Sequence, residues 1–306
     1  MLAHLLKCLL LGAVLSAAAW VCCFWADRPW LAVAGAVLIA SGWAIVLALE
    51  FIGLGWLGTD RQVAQPTGRQ LLRAWWGEVR CVLVVFAWRQ AFRSRAEPDW
   101  LPPDGQGRGG AVFIHGFVSN RGLWTPWLAR LRAAGRAFVA LDLEPVFGSI
   151  DDYVALIEDA VTRVTEATHR PPVLVCHSMG GLAARAWLRQ HSGAHRVARI
   201  ITIGTPHHGT ALARLSGLIG AKNARQMHPA KPWLRDMFAD ESSGYTTMAK
   251  YKPFVCYYSN SDNIVMPAST ACLPGADNRH VPGVAHVALA LDARVMAESL
   301  ALILGN

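Results

Sequence analysis

Charge is what the opening stretch of this chain lacks. Of residues 1–59 only Lys7, Asp27, Arg28 and Glu50 are charged, so the net charge of +8 on 306 residues is carried by residues 60–306. Also missing is any CxxC pair or Cys/His cluster, which removes the usual signature of a zinc site. The seven cysteines are odd in number and irregularly spaced. Cys8, Cys22 and Cys23 lie in the apolar leader, and Cys81, Cys176, Cys256 and Cys272 are scattered. This excludes a disulfide framework and fits a reducing compartment, with a single Cys256–Cys272 bridge left open. Internal repeats and low-complexity segments are absent too. Charged residues make up 16% against 53% hydrophobic, more apolar than an average soluble domain. No nucleic-acid motif accompanies the basic balance, so an anionic membrane surface is the simpler partner than nucleic acid.

What is present begins with two apolar runs. Residues 2–25 carry Lys7 as their only charge, and after ADRP (26–29) Trp30–Leu49 adds about twenty uncharged residues. Each matches the ~20 residues a helix needs to cross the hydrocarbon core. Spans at about 5–25 and 30–49 would form a tight helical hairpin, with Pro29 starting the second helix. Trp20, Trp25, Trp30 and Trp56 lie towards the ends of these runs, as interfacial anchors do. LSAAA (15–19) offers the alternative of a cleaved signal peptide, with the second run still acting as an anchor. Arg61, Arg69, Arg73 and Arg80 follow the second run, whereas the intervening loop has only Arg28. The positive-inside rule then predicts a multi-pass inner-membrane protein with the domain that follows in the cytoplasm.

Residues 60–107 read as a basic amphipathic linker. Within it, 68–96 mixes arginines and tryptophans around CVLVVFAW (81–88), which is too short to span. It fits a helix in the headgroup region or one packed on the domain that follows. LPPDGQGRGG (101–110) marks the boundary of a folded domain over 108–306. There, AVFIHGF (111–117), AFVALDLEP (137–145), the start of PPVLVCHSMGG (171–181), RIITIGTP (199–206) and FVCYYSNSD (254–262) read as strands. Helices are expected at 124–134, ended by Gly135, and from a cap at Asp151–Asp152 to about Ala167. Apolar strands alternating with amphipathic helices give an α/β class with a mostly parallel sheet covered on both faces. Residues 210–252 break that rhythm, as a lid, an acyl-binding cap or plain surface helices would.

Ser178 is the leading candidate for chemistry. It follows the apolar strand VLVC (173–176) and precedes a helix starting near Gly180–Gly181. A serine on so tight a turn projects from the carboxyl end of the sheet, and its neighbours two positions away must be small. Gly180 meets this; Cys176 stands where glycine is usual, and is small enough to preserve the turn. The structural alternative is a serine that merely caps the helix.

VFIHGFVSNRGLW, VCHSMGGLAAR and ITIGTPHHGT, in that order, resemble the bacterial triacylglycerol lipase and esterase branch of the α/β-hydrolase superfamily over about residues 108–304. The resemblance implies an α/β-hydrolase fold and the chain order serine, acid, histidine. His286, in VPGVAHVAL (281–289), stands as the catalytic histidine, with His280 its rival. His177 adjoins the serine and is expected to point elsewhere. His207 and His208 match the structural GTPHHGT motif, and His115 belongs to the oxyanion loop. Asp262, ending FVCYYSNSD, stands as the acid, with Asp277 and Asp292 as competitors. The oxyanion amides implied are those of Phe117 and Met179. The simple HGF loop implies a medium or long acyl chain, hence a lipid. Trp124 and Trp127 would line an acyl pocket or pack in the core.

The expected function is therefore hydrolysis of a hydrophobic carboxylic ester, with no metal or organic cofactor. Thioesterase, acyltransferase and polyester depolymerase activity can use the same triad. A membrane-tethered binding module with no catalysis is the reading from another class. Oligomeric state is not specified by the sequence.

Overall fold

The computed structural model describes the chain apart from residues 58–59, 104, 192, 216–219 and 243–250, and a few side chains beside them. Two long helices come first, α1 (Leu2–Phe24) and α2 (Pro29–Leu57). Both are long and apolar enough to cross a membrane. They form a hairpin in which the Trp20 indole donates to the Leu31 carbonyl at 2.9 Å. Gly35 makes this approach possible, because a Cβ there would lie 1.9 Å from the indole nitrogen. Trp25 and Trp30, expected as interfacial anchors, are exposed; the side chain of Trp56 lies outside the described residues.

The second helix runs well past the span expected to stop at Leu49. Its 29 residues reach ~43 Å at 1.5 Å per residue, more than the ~30 Å hydrocarbon core needs. Phe51 and Leu54 are instead buried with Ala74, Met266 and Ala285. The last turns of α2 are therefore docked on the domain that follows.

Residues 60–107 are not a free linker. Thr67 and Gln70 make reciprocal capping bonds at the start of α3 (Gly68–Cys81), which continues as a π-helix over Val82–Gln90. One side of this stretch packs on the domain, where Glu78, Val79, Val85 and Gln90 are buried, and its other side exposes Leu72, Trp76, Leu83 and Trp88. Trp100 forms a β-bridge to Phe138.

Beyond the Gly-rich boundary, the sheet contains β1 (Ala111–Ile114), β2 (Phe138–Ala140), β3 (Val173–His177), β4 (Arg199–Ile203), β5 (Phe254–Tyr258) and β6 (Asp277–His280). Their order is β2-β1-β3-β4-β5-β6, and every pairing is parallel. Strands β1 and β3 are buried throughout, as runs covered on both faces must be. The edge strand β6 was not foreseen: DNRH is polar, with its first two residues exposed, and carries no apolar signal.

Helices α4 (Thr125–Ala133), α5 (Val154–Thr168) and α6 (Met179–His191) cover the sheet, with α9 (His286–Leu289) and α10 (Ala293–Leu304) at the C-terminal end. Gly135 stops the turn after α4 with φ +63°. The cap before α5 is Ser149, paired with Asp152, rather than the Asp151–Asp152 pair, and 3-10 geometry intervenes. Tyr153, Ile157, Ala160, Val161 and Val164 face the core as expected, but Leu156 is exposed. Trp124 and Trp127 are core residues, the Trp127 indole donating to the Ala290 carbonyl at 2.8 Å.

Within 210–252 the described residues form α7 (Lys222–Gln226) and α8 (Pro232–Ser242), with Leu234 and Met237 buried in the main core. The rest of the expected lid, 216–219 and 243–250, lies outside the described residues. All seven cysteines, Cys256 and Cys272 included, are free.

Candidate active site

Strand β3 ends in a turn that only a short list of residues can make. Ser178 sits there with φ +54°, in the left-handed region that non-glycine residues seldom occupy. Its N–H donates to the Ile203 carbonyl of β4 at 2.9 Å, fixing the turn to the sheet. A Cβ on Gly180 would lie 2.4 Å from the Ile114 carbonyl oxygen, so glycine is required there. Cys176 is fully buried in β3 and takes the place of the other usual glycine without displacing the turn. Strain at such a residue persists only where the surroundings impose it, as they do at functional sites.

Strand β5 delivers the second group. Asp262 is 2% exposed, and its Oδ1 accepts from the N–H groups of Ile264 at 2.9 Å and Val265 at 2.8 Å. That leaves Oδ2 for His286 Nδ1, at 2.9 Å. The main chain around His286 is anchored as well, its N–H donating to Asn263 Oδ1 at 3.3 Å. Burial alone pushes the imidazole pKa down. The adjoining Asp262 carboxylate outweighs that and, with Glu78 and Glu50, holds it above its ordinary value.

Ser178 and His286 open onto one cavity of about 290 Å³. Phe117 and Gly116 border it, and a Cβ on Gly116 would come within 2.7 Å of Ser178 Cβ. Met179 follows the serine as the first residue of α6. Among the described residues, neither the Phe117 nor the Met179 N–H donates to another protein group. The loop after β1 is strained next to Phe117: Val118 has φ +48°, unusual for a β-branched residue. His115 holds the loop's base, its Nε2 accepting from Leu143 N–H at 2.9 Å while Nδ1 lies 2.9 Å from the Gly116 carbonyl. Burial depresses its pKa, consistent with a neutral ring fixed by those bonds.

The rivals are occupied elsewhere. His280 stacks on Tyr258 with ring centroids 5.0 Å apart. Asp277 pairs with Arg279 at 2.7 Å, and Asp292 caps α10. His207 lies 3.1 Å from Thr202 Oγ1, and its carbonyl accepts from Arg185 at 2.9 Å. His208 stacks on Phe238. His177 corrects the expectation that it turns away. It borders the cavity, its Nε2 donates to the His286 carbonyl at 3.1 Å, and burial drives its pKa well down.

The roof of the cavity was not anticipated. Leu47 and Glu50 reach it from α2, and Glu78, Val82, Phe86 and Gln90 from α3 and its π extension. Glu50 Oε2 accepts from Asn263 Nδ2 at 2.8 Å. Glu78, 2% exposed, accepts from Val287 N–H at 2.9 Å and Ala288 N–H at 3.0 Å. Burial pushes its carboxyl up to about 7, against those bonds and the nearby imidazole. A signal was available: Glu50 is the acid that ends the second apolar run, and Glu78 the only one in residues 61–96. An acid in such a setting needs a built partner.

Comparison with known proteins agrees with this architecture. Residues 111–300 match the model of the alpha/beta hydrolase family. The mature form of a Bacillus licheniformis lipase is 20% identical, with a TM-score of 0.56 over 66% of this chain and 96% of that one. Aspergillus fumigatus lipase B is 16% identical, with a TM-score of 0.57 over 100% of this chain and 85% of that one. No curated protein matches. The chain belongs to the alpha/beta hydrolase family.

Proposed function

We propose that this protein is a membrane-anchored serine hydrolase that cleaves a carboxylic ester of a lipid. The observation that carries the reading is Ser178, held on a left-handed turn and opening onto the same apolar cavity as a histidine bonded to a buried aspartate. In the first step His286 Nε2 takes the Ser178 hydroxyl proton as Oγ attacks the ester carbonyl carbon. Asp262, bonded at Nδ1, fixes the tautomer that leaves Nε2 free to do so and stabilises the imidazolium that forms. Phe117 and Met179 N–H groups receive the negative charge developing on the carbonyl oxygen. The alcohol leaves with the proton from His286, and water activated by the same imidazole releases the acid from the acyl-enzyme.

The membrane part rests on the two apolar helices and on the outer face of α3 and its extension. There Leu72, Trp76, Leu83 and Trp88 are all at least half exposed, which suits a lipid-facing surface. The arginines after the second helix favour a cytoplasmic catalytic domain. An alkaline phosphatase fusion after residue 60 that is active in the periplasm would contradict that orientation.

The activity is tested with detergent-solubilised full-length protein on a panel of p-nitrophenyl esters and acylglycerols. Ester turnover lost in Ser178→Ala and His286→Ala is the expected result. Turnover surviving in Ser178→Ala, or none in a folded wild type, would overturn the reading.

A further inference from the structure

Four residues of the roof share one spacing: Glu78, Val82, Phe86 and Gln90 recur every four residues and all border the cavity. In an α-helix that spacing drifts about 40° per step, since 3.6 residues complete a turn. The helix widens to π geometry from Val82, where each bond spans one residue more and the drift is offset. The stripe thus stays over the cavity for its whole length. Its ends are polar and its middle apolar.

Each polar end bonds a different part of the site. Glu78 accepts from Val287 and Ala288, directly after His286. Gln90 donates from Nε2 to Ser119 Oγ at 2.9 Å, and its carbonyl accepts from Asn120 Nδ2 at 3.0 Å, just after strained Val118. The helix therefore bridges the histidine loop and the oxyanion loop. Between those fixed points Val82 and Phe86 face the chamber that holds Ser178, joined by Leu47 from α2. The outer side of the same helix presents Leu83 and Trp88. These roof residues all precede residue 111, where the family match begins.

We propose that Val82 and Phe86, with Leu47, form the acyl-binding wall that sets which chain length this hydrolase accepts. The proposal rests on the serine-hydrolase reading and commits to the acyl chain of a lipid ester as the occupant. A chain bound to Ser178 as an ester must lie in the chamber the serine opens onto, and its apolar roof is this pair. Each further methylene buried against them adds to binding, so the contact discriminates by length. Glu78 and Gln90 are positioning residues that set the height of the wall above the serine.

The test uses full-length protein in detergent. The ratio of kcat/KM for p-nitrophenyl octanoate to that for the acetate should fall about tenfold or more in Val82→Trp and Phe86→Trp. Phe86→Ala, which adds no bulk, should move the optimum towards longer chains. Leu72→Ala on the outer face should leave the ratio where it is in wild type. A chain-length profile unmoved by all three inner variants would overturn the proposal. A readout independent of turnover separates this from failure of the hydrolase reading. A photoactivatable long-chain fatty acid, irradiated with Ser178→Ala protein, should form adducts on Val82 or Phe86. Adducts confined to outward Leu83 and Trp88 would overturn the wall whether or not the wild type hydrolyses esters.

Discussion

The floor of the cavity hangs on a sheet whose strands are bonded edge to edge, whereas its roof hangs on helices that pack on the domain through Phe51, Leu54 and Val85 and bond its loops through Glu50, Glu78 and Gln90. On the floor, Ser178 and Asp262 are fixed by main-chain bonds from β4 and from the turn after β5. On the roof, Glu50, Glu78 and Gln90 each reach across to a loop that borders the cavity. Floor changes should therefore remove the reaction, and roof changes should alter its pH dependence, its selectivity and the docking of the anchor. Fixed elements suit a nucleophile that must not move; separable ones suit a wall that must admit a substrate.

The largest effect that would sharpen this contrast is at the floor. Ser178→Ala should lower kcat by roughly 10⁶-fold and Asp262→Asn by about 10⁴-fold, with the melting temperature of each close to wild type. A residual rate above these levels would show that the roof contributes to bond breaking.

Next comes the tether between roof and histidine loop. Glu78→Ala would leave the buried Val287 N–H unpaired, costing ~1–3 kcal/mol, and free the half-buried Ala288 N–H beside it. Thermal unfolding should therefore fall measurably. An unchanged melt would mean that the roof stands free of the floor.

The same residue makes a pH prediction of definite sign. With its carboxyl held at about 7, against an ordinary 4.5, Glu78 binds its proton more tightly folded than unfolded. Its contribution to stability is complete below about 4.5 and is lost as pH rises through 7. The difference in unfolding free energy between wild type and Glu78→Gln should move in that direction across this range. For His286, the surrounding charges are Asp262, Glu78 and Glu50, with neutral His177 beside it. Since Glu78 helps raise the imidazole pKa, Glu78→Gln should shift the acid limb of kcat/KM to lower pH, while Glu78→Asp should restore it in part. A limb that stays in place would separate Glu78 from the base.

A smaller effect is expected at the other tether. Gln90→Ala frees Ser119 beside strained Val118, and kcat should fall by up to about 10²-fold with KM little changed. A rise in KM alone would place Gln90 in binding rather than in holding the loop after β1.

The two regions also differ in how far they can be read from residue order. HSMGG announces the turn because only small neighbours fit around Ser178, and the distances at Gly180 show why. Asp262 and His286 were singled out through the family resemblance, whose serine, acid, histidine order they match, and the structure bonds the two to each other. The roof carried no such pattern. A four-residue stripe is not the α period, and it becomes one face only because the helix adopts π geometry at Val82. The α2 boundary was set at Leu49 because Glu50 ends the uncharged run, yet Glu50 continues the helix and pairs with Asn263. Strand β6 escaped for a related reason: an edge strand with exposed residues has no apolar face to betray it.

Reaction of the full-length protein with a fluorophosphonate probe, followed by peptide mapping, tests the central claim most directly. The account predicts one phosphonyl adduct, on Ser178, absent from Ser178→Ala and strongly slowed in His286→Ala. An adduct on another residue, or undiminished labelling of His286→Ala, would contradict it.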